Sequence, residues 1–212
     1  MERIPDCTGV LVAGGRARRL GGMAKGQARL EGVPIATRTI ELFRLLFGEV
    51  RVVANDPAPW SDSGVVAVVP DAIPGKGAPG GLHAALSCAT TGWIFTAACD
   101  MPFLAEGPIR HLASLRGDAP AVLVEGERGP EGLHAFWSRG ILPTVERMLR
   151  EGDPSLRAIA TAVGARIVPA VEWRVVDPGG RSFENANTPE DLRRLGLEPP
   201  APINTSRGAT TR

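Results

Sequence analysis

The sequence has no tyrosine, and only three cysteines and three histidines among its 212 residues. Cys7, Cys88 and Cys99 are scattered, odd in number and without metal-ligand spacing. That excludes a disulfide framework and a thiolate metal centre as organising features. The thiols read as reduced, and the N-terminal stretch carries charge and proline with no apolar secretory core, so a cytoplasmic protein is expected. No apolar run approaches the ~20 residues of a membrane-spanning helix. Neither sign of charge is in excess: the formal net charge is +1, which gives no reason to expect nucleic acid or an acidic membrane as partner. Lysine is scarce beside arginine, a compositional bias without a mechanism attached. His83, His111 and His134 lack ligand spacing, so each reads as packed or exposed rather than metal-bound.

What is present is an ordinary core-forming composition, 43% hydrophobic, on a chain of single-domain length. Apolar runs at residues 10–13, 49–54, 65–69 and 93–98 read as strands. Between them, helices are expected at about 37–47 and 81–88, with another at about 108–115 after the fourth strand. Such alternation implies a parallel sheet with right-handed crossovers, buried on both faces. The second half is less regular. Segments 121–125 and 133–137 are strand-like, joined by a turn, and helices are expected at 142–151 and about 154–163. Short strands are expected at 166–168 and 173–176. Thr188-Pro189-Glu190-Asp191 then reads as a helix start: cap, proline, early acids.

Ligands of such sheets bind beyond the carboxyl ends of the strands. Those ends carry Gly14-Gly15, Asn55, Asp71 and Asp100. The first is the most telling. Val12-Ala13 closes the first strand, and Gly14, Gly15, Arg16, Arg18, Arg19, Gly21, Gly22 and Lys25 follow. Glycines let backbone N–H groups approach an anion, and arginine and lysine supply opposing charge. The alternative is a surface turn with solvated arginines. A P-loop is excluded, because Gly77 follows Gly75-Lys76 and Pro70 stands at the required glycine position. A dinucleotide fingerprint is excluded too, since five residues without glycine follow Gly14-Gly15. At the fourth strand end, Asp100 in Cys99-Asp100-Met101-Pro102 is either a turn aspartate or the ligand of a hard cation such as Mg²⁺.

The stretch from Val12 to Lys25 resembles the loop L-A-G-G-x-(S/A)-x-R-M-G-G-x-D-K of the molybdenum cofactor guanylyltransferases, which are MobA-like nucleotidyltransferases. The glycines, Arg19 and Lys25 match; Ala24 stands where the family has aspartate. Cys99-Asp100-Met101-Pro102 is similar to the family's C-D-x-P, whose aspartate binds magnesium. Asp71 with the glycine-rich stretch 74–82 resembles D…G-P-L-x-G, where the aspartate helps to hold the guanosine and glycines let the loop close over it. Lys76 in that stretch reads equally as phosphate-reaching or solvated. Asn55 matches the second asparagine of the family's V-N-A-N turn. Phe183-Glu184-Asn185-Ala186-Asn187-Thr188-Pro189-Glu190 resembles F-x-N-x-N-T-P-E.

The resemblance implies a Rossmann-like three-layer α/β nucleotidyltransferase fold, with a mostly parallel central sheet and helices on both faces. It implies one domain over residues 1–197, with a nucleotide-binding half at about 1–118 and an acceptor-binding half at about 119–197; residues 198–212 are expected as a disordered tail. The implied reaction transfers GMP from GTP to molybdenum-bound molybdopterin. Lys25, Arg19 and Asp100 would be catalytic. Val12, Ala13, Gly14, Gly15, Lys25, Asn55, Asp71, Gly80 and Asp100 would bind nucleotide, with Mg²⁺ on Asp100. Asn185 and Asn187 would face the acceptor. A molybdoenzyme or a chaperone is the candidate protein partner. A relative using CTP or a phosphosugar acceptor, and a nucleotide- or cofactor-binding protein with little turnover, stand as alternatives.

Overall fold

The structure, a computed structural model, describes residues 2–13, 25–60, 67–73, 75–127 and 129–200. At its centre is strand β1 (Cys7–Val12), buried over its whole length. β1 lies between β4 (Glu49–Val53) and β6 (Trp93–Ala98), parallel to both. Beyond β4, the short strand β5 (Val68–Val69) continues the parallel run. The first crossover passes through the hairpin of β2 (Arg29–Leu30) and β3 (Val33–Pro34) and helix α1 (Ile35–Leu46). Helix α2 (Gly77–Cys88) makes the crossover from β5 to β6. The chain thus runs outward from β1 through β4 to β5 and then returns to the opposite side of β1 with β6, which makes the carboxyl end of β1 a switch point where a crevice opens.

The second half inverts one strand. After α3 (Glu106–Ser114), β7 (Ala121–Gly126) carries the small strand β8 (Gly129–Pro130) at its edge and leads to β9 (His134–Ser138). β9 inserts between β6 and β7, antiparallel to both, and β10 (Arg166–Val168) closes the sheet parallel to β7. The sheet is therefore mixed but mostly parallel, as expected.

Alternate residues of each strand point to opposite faces, and each face is covered. Leu11, Phe95 and Val124 pack with Ile40 and Phe43 of α1 and Phe47 just after it, Ile109 and Leu112 of α3, and Trp173 of the short helix α6 (Ala170–Trp173). Val10, Ile94 and Leu123 pack with Leu82 and Leu86 of α2, Val145 and Leu149 of α4 (Leu142–Glu151), and Ile159 of α5 (Leu156–Val163). These are the three layers of the α/β architecture. Burial also pushes the Cys7 thiol up to about 12, so it behaves as an apolar core group rather than a nucleophile.

A third, smaller cluster lies under α7 (Pro189–Leu195), where Leu192, Leu195 and Leu197 meet Ala28, Ile35 and Ala186. The helix start there has the expected chemistry. Thr188 caps Asp191 N–H at 3.1 Å, and the Asp191 carboxylate accepts in return from the Thr188 backbone at 2.9 Å.

Three expectations change. Segment 173–176 is the end of α6 and a turn, not a strand. Its apolar residues serve different purposes, since Trp173 is buried while Val175 is 80% exposed. Helix α2 begins at Gly77 rather than near 81: Gly77 turns the chain into the helix at a φ of +60°, and Gly80 sits where a Cβ would crowd Lys76 and the Ile73 carbonyl. Glu198, expected in the tail, pairs with Arg29 by two backbone hydrogen bonds of 2.9 and 2.8 Å. Residues 201–212 lie outside the described residues.

Candidate active site

The register of the sheet assembles the site. Val12 is opposite both Val53 and Ala98, and Val53 is opposite Val69. Asn55, Asp71 and Asp100 each stand two residues past that common level, as Gly14 does in the sequence. Three strand ends thus deliver their polar residues to one edge, on either side of the end of β1. From β5 to β6 is three strand spacings, roughly 14 Å. That is comparable with a nucleotide from its base to its α-phosphate.

At the β4–β5 end, Asn55 and Asp71 are held reciprocally. The Asn55 amide donates to Asp71 Oδ2 at 3.1 Å, and the Asp71 backbone N–H donates to Asn55 Oδ1 at 2.9 Å. Asp71 is only 7% exposed, and its Oδ1 is buried with no hydrogen-bond partner among the described residues. An acceptor oxygen kept from water without a donor is costly, so it marks a place where a donor is expected to arrive.

At the β6 end, Asp100 lies on the wall of a cleft of about 740 Å³, together with Val12, Cys99, Met101, Asn185 and Asn187. Two contacts bring distant segments to it. Ala186 N–H donates to the Asp100 carbonyl at 2.9 Å, which clips the Asn185–Asn187 turn beside the aspartate. Gly26 is buried against Cys99: a Cβ there would stand 3.2 Å from both Cys99 Cβ and Cys99 O. The chain just after Lys25 is thereby seated next to Asp100. The Lys25 side chain lies outside the described residues, as do Gly14, Gly15 and Arg19. Ala13 N–H is already used, donating to Val53 O at 2.8 Å.

The far side of the cleft has residues that motif reading overlooked. Gly77, Ala78 and Pro79 bring the amino end of α2 to it, and Glu131, Ser155, Leu156 and Arg157 face it from the second half. Ser155 caps α5 by accepting from Ala158 N–H at 3.1 Å. The signal was present in Gly152-Asp153-Pro154-Ser155, a turn followed by a capping residue, with Arg157 in the first helical turn. Asn185 also donates to Phe183 O at 2.8 Å, and that bond fixes its amide.

Gly80 differs from its expected place. It lies in the first turn of α2, buried, and not on a loop. A Cβ on Gly80 would stand 3.1 Å from Lys76 Cβ and 3.2 Å from Ile73 O, whereas its neighbour Gly81, whose Cβ would stand 2.8 Å from Val12 Cγ1, lets α2 settle onto β1. Lys76 finds partners in the second half of the chain. It pairs with Asp153 and donates to Gly152 O.

The three histidines are structural in their surroundings. His83 Nε2 is 3.5 Å from Glu146 across the α2–α4 contact, and His111 Nε2 is 4.0 Å from Glu172. His134 is fully buried in a box of Phe95, Trp173 and Phe183, with ring centroids 5.4, 5.5 and 5.0 Å away. Burial holds its pKa down at about 4. No group of three potential metal-ligating side chains occurs among the described residues. Mg²⁺ needs none, because it takes one or two carboxylates and completes its shell with water and substrate phosphate. Asp100, a hard oxygen donor on the cleft wall, fits that requirement.

An open α/β sheet whose first strand leads into a glycine- and arginine-rich sequence, with a paired aspartate at one end of the edge and a carboxylate at the other, is an arrangement suited to nucleotidyl transfer. The MobA-like NTP transferase domain matches residues 9–167, and the chain belongs to that family. It is 31% identical over 188 residues to the molybdenum cofactor guanylyltransferase of Desulfosudis oleivorans, covering 88% of this chain and 93% of the relative. It is 33% identical over 192 residues to the protein of the same name from Cupriavidus metallidurans, again covering 88% and 93%. Its fold superposes on the crystal structure of molybdopterin-guanine dinucleotide biosynthesis protein A from Archaeoglobus fulgidus with a TM-score of 0.72 and 26% identity, over 88% of this chain and 95% of that one.

Proposed function

We propose that the protein transfers GMP from GTP to the terminal phosphate of molybdenum-bound molybdopterin, with release of pyrophosphate. The observation that carries the choice of guanine is the buried Asp71 Oδ1, held in place by Asn55 and lacking a donor among the described residues. Guanine presents N1–H and a 2-amino group side by side, which a carboxylate accepts. Adenine has no donor at those positions and would leave the oxygen unpaired.

In the reaction, an oxygen of the acceptor's terminal phosphate attacks the α-phosphorus of GTP. The bond from that phosphorus to the bridging oxygen of the β-phosphate breaks, and its electron pair leaves with pyrophosphate. The attacking oxygen is already anionic, so the chain need not supply a strong base. Its work is alignment and charge neutralisation. Backbone amides at Gly14 and Gly15 cradle the triphosphate, and Arg19 and Lys25 neutralise it. Val12 and Ala13 hold the loop's root in the sheet, while Gly80 keeps the first turn of α2 tight against the Ile73 carbonyl and Gly81 lets the helix lie on Val12. Asp100 would hold Mg²⁺, which when bound would supply Lewis-acid polarisation and a template for the phosphates. Asn185 and Asn187, clipped to the Asp100 backbone, orient the acceptor, whose anionic groups meet Arg157 and the capped end of α5. Domain halves at about 1–118 and 119–197 then correspond to donor and acceptor sides, in a cytoplasmic setting.

The test is product identification. Incubation with GTP, Mg²⁺ and molybdenum-loaded molybdopterin is expected to yield a dinucleotide whose mass equals acceptor plus GMP less water. Nucleotide binding without that product would support a binding protein instead, and a product formed only with CTP would support a cytidylyl transferase.

A further inference from the structure

Of the 24 basic residues in the chain, only Lys25 and Lys76 are lysines. Lys76 immediately precedes α2, whose next three residues line the cleft. Its side chain does not follow α2. The ammonium reaches into the second half of the chain, donates to the Gly152 carbonyl at 2.9 Å and pairs with Asp153. Gly152 caps the carboxyl end of α4, where unpaired carbonyls carry partial negative charge that favours a cation. Three residues further on, Ser155 to Arg157 form the opposite side of the same cleft. One side chain therefore ties the amino end of α2 to the turn that delivers Arg157.

The geometry points to Lys76 as a positioning residue: its bridge to Gly152 and Asp153 straps the two walls of the cleft together and sets the affinity for the second, phosphate-bearing substrate. This rests on the acceptor role given above to the Ser155–Arg157 wall. Lysine suits the task because three rotatable donors can serve a carbonyl and a carboxylate lying in different directions, whereas arginine's planar fork suits one carboxylate. The pair adds little to global stability, since the Asp153 side chain is 83% exposed. Its effect is local.

The experiment compares the full-length parent with Lys76→Gln, Asp153→Asn and the exchanged pair Lys76→Glu with Asp153→Lys. Amide exchange across residues 152–158 is expected to quicken about three- to tenfold in both single variants, the range open to a partly screened charged hydrogen bond. The acceptor KM should rise by a similar factor, with kcat and the GTP Kd within twofold of the parent. The exchanged pair should recover part of both losses. Unchanged exchange and acceptor KM in Lys76→Gln would overturn the strap. So would a loss confined to GTP affinity, which would make Lys76 a phosphate ligand. A parent that turns over no acceptor would count against the guanylyl reading alone, because amide exchange still decides the strap.

Discussion

Asn55 and Asp71, sixteen residues apart, exchange hydrogen bonds at 3.1 and 2.9 Å across the ends of two parallel strands. The exchange fixes the Asp71 carboxylate and leaves its second oxygen, buried, facing no donor among the described residues. Substitution of Asp71 by alanine should therefore cost nucleotide discrimination more than triphosphate affinity. One lost buried acceptor is worth ~1–3 kcal/mol, or about ten- to a hundredfold in the ratio of GTP to ATP binding. Asn55→Ala should produce a smaller loss of the same kind, because the carboxylate survives but is no longer held. Titration calorimetry with both nucleotides in Mg²⁺ checks this; an unchanged ratio in Asp71→Ala would place the base elsewhere.

Asp100→Asn keeps the shape of the turn and removes the anionic oxygen. Turnover and its dependence on Mg²⁺ should both be lost, while the Ala186 contact, made to the backbone carbonyl, survives. Thermal unfolding and a magnesium titration of pyrophosphate release separate the two roles. Unfolding with no separate effect on metal dependence would return Asp100 to a structural turn.

Lys25→Ala should lower kcat by ~10²–10³, the usual effect of removing one group that stabilises charge in the transition state. The fold should survive, since the buried approach of Gly26 to Cys99 remains. Turnover within a few-fold of the parent would make Lys25 a surface charge.

His134 gives the fold an acid limit. Its ordinary pKa of 6.5 is lowered to about 4 by burial, so between those values the unfolded chain binds the proton and the native chain does not. Its contribution is therefore complete above about pH 6.5 and is lost as pH falls toward 4, on the order of 3 kcal/mol at the lower end. His134→Phe suits a box of Phe95, Trp173 and Phe183 and should remove that part of the pH dependence. Urea unfolding of parent and variant at pH 7 and pH 4.5 measures the difference; identical slopes with pH would contradict it.

Most of the sheet was legible because buried parallel strands are nearly continuous apolar runs bounded by turn residues, as in β1, β4 and β6. The site edge was legible for the same reason: the polar residue that ends each run marks the carboxyl end. Periodicity carried less information where one residue type serves two purposes. Gly77 and Gly80 read as loop, yet belong to α2: Gly77 starts it at a φ of +60°, Gly80 sits where a Cβ would crowd Lys76 and Ile73, and only Gly81 lies against Val12. Trp173 and Val175 suggest a strand, yet one is buried in the His134 box and the other lies in solvent. The partners of Lys76, 76 and 77 residues away, had no local signature at all. Arg157 was passed over because a lone arginine on a helix face carries no motif. Only the fold brings it to the cleft of Asp100 and Asn185.

Pyrophosphate release by the purified protein, with Mg²⁺, molybdenum-loaded molybdopterin and each of the four nucleoside triphosphates in turn, tests the central claim most directly. GTP should support release at least about tenfold faster than ATP, CTP or UTP, and only when acceptor is present. Equal rates with GTP and CTP would contradict the guanylyl assignment while leaving a nucleotidyltransferase in place.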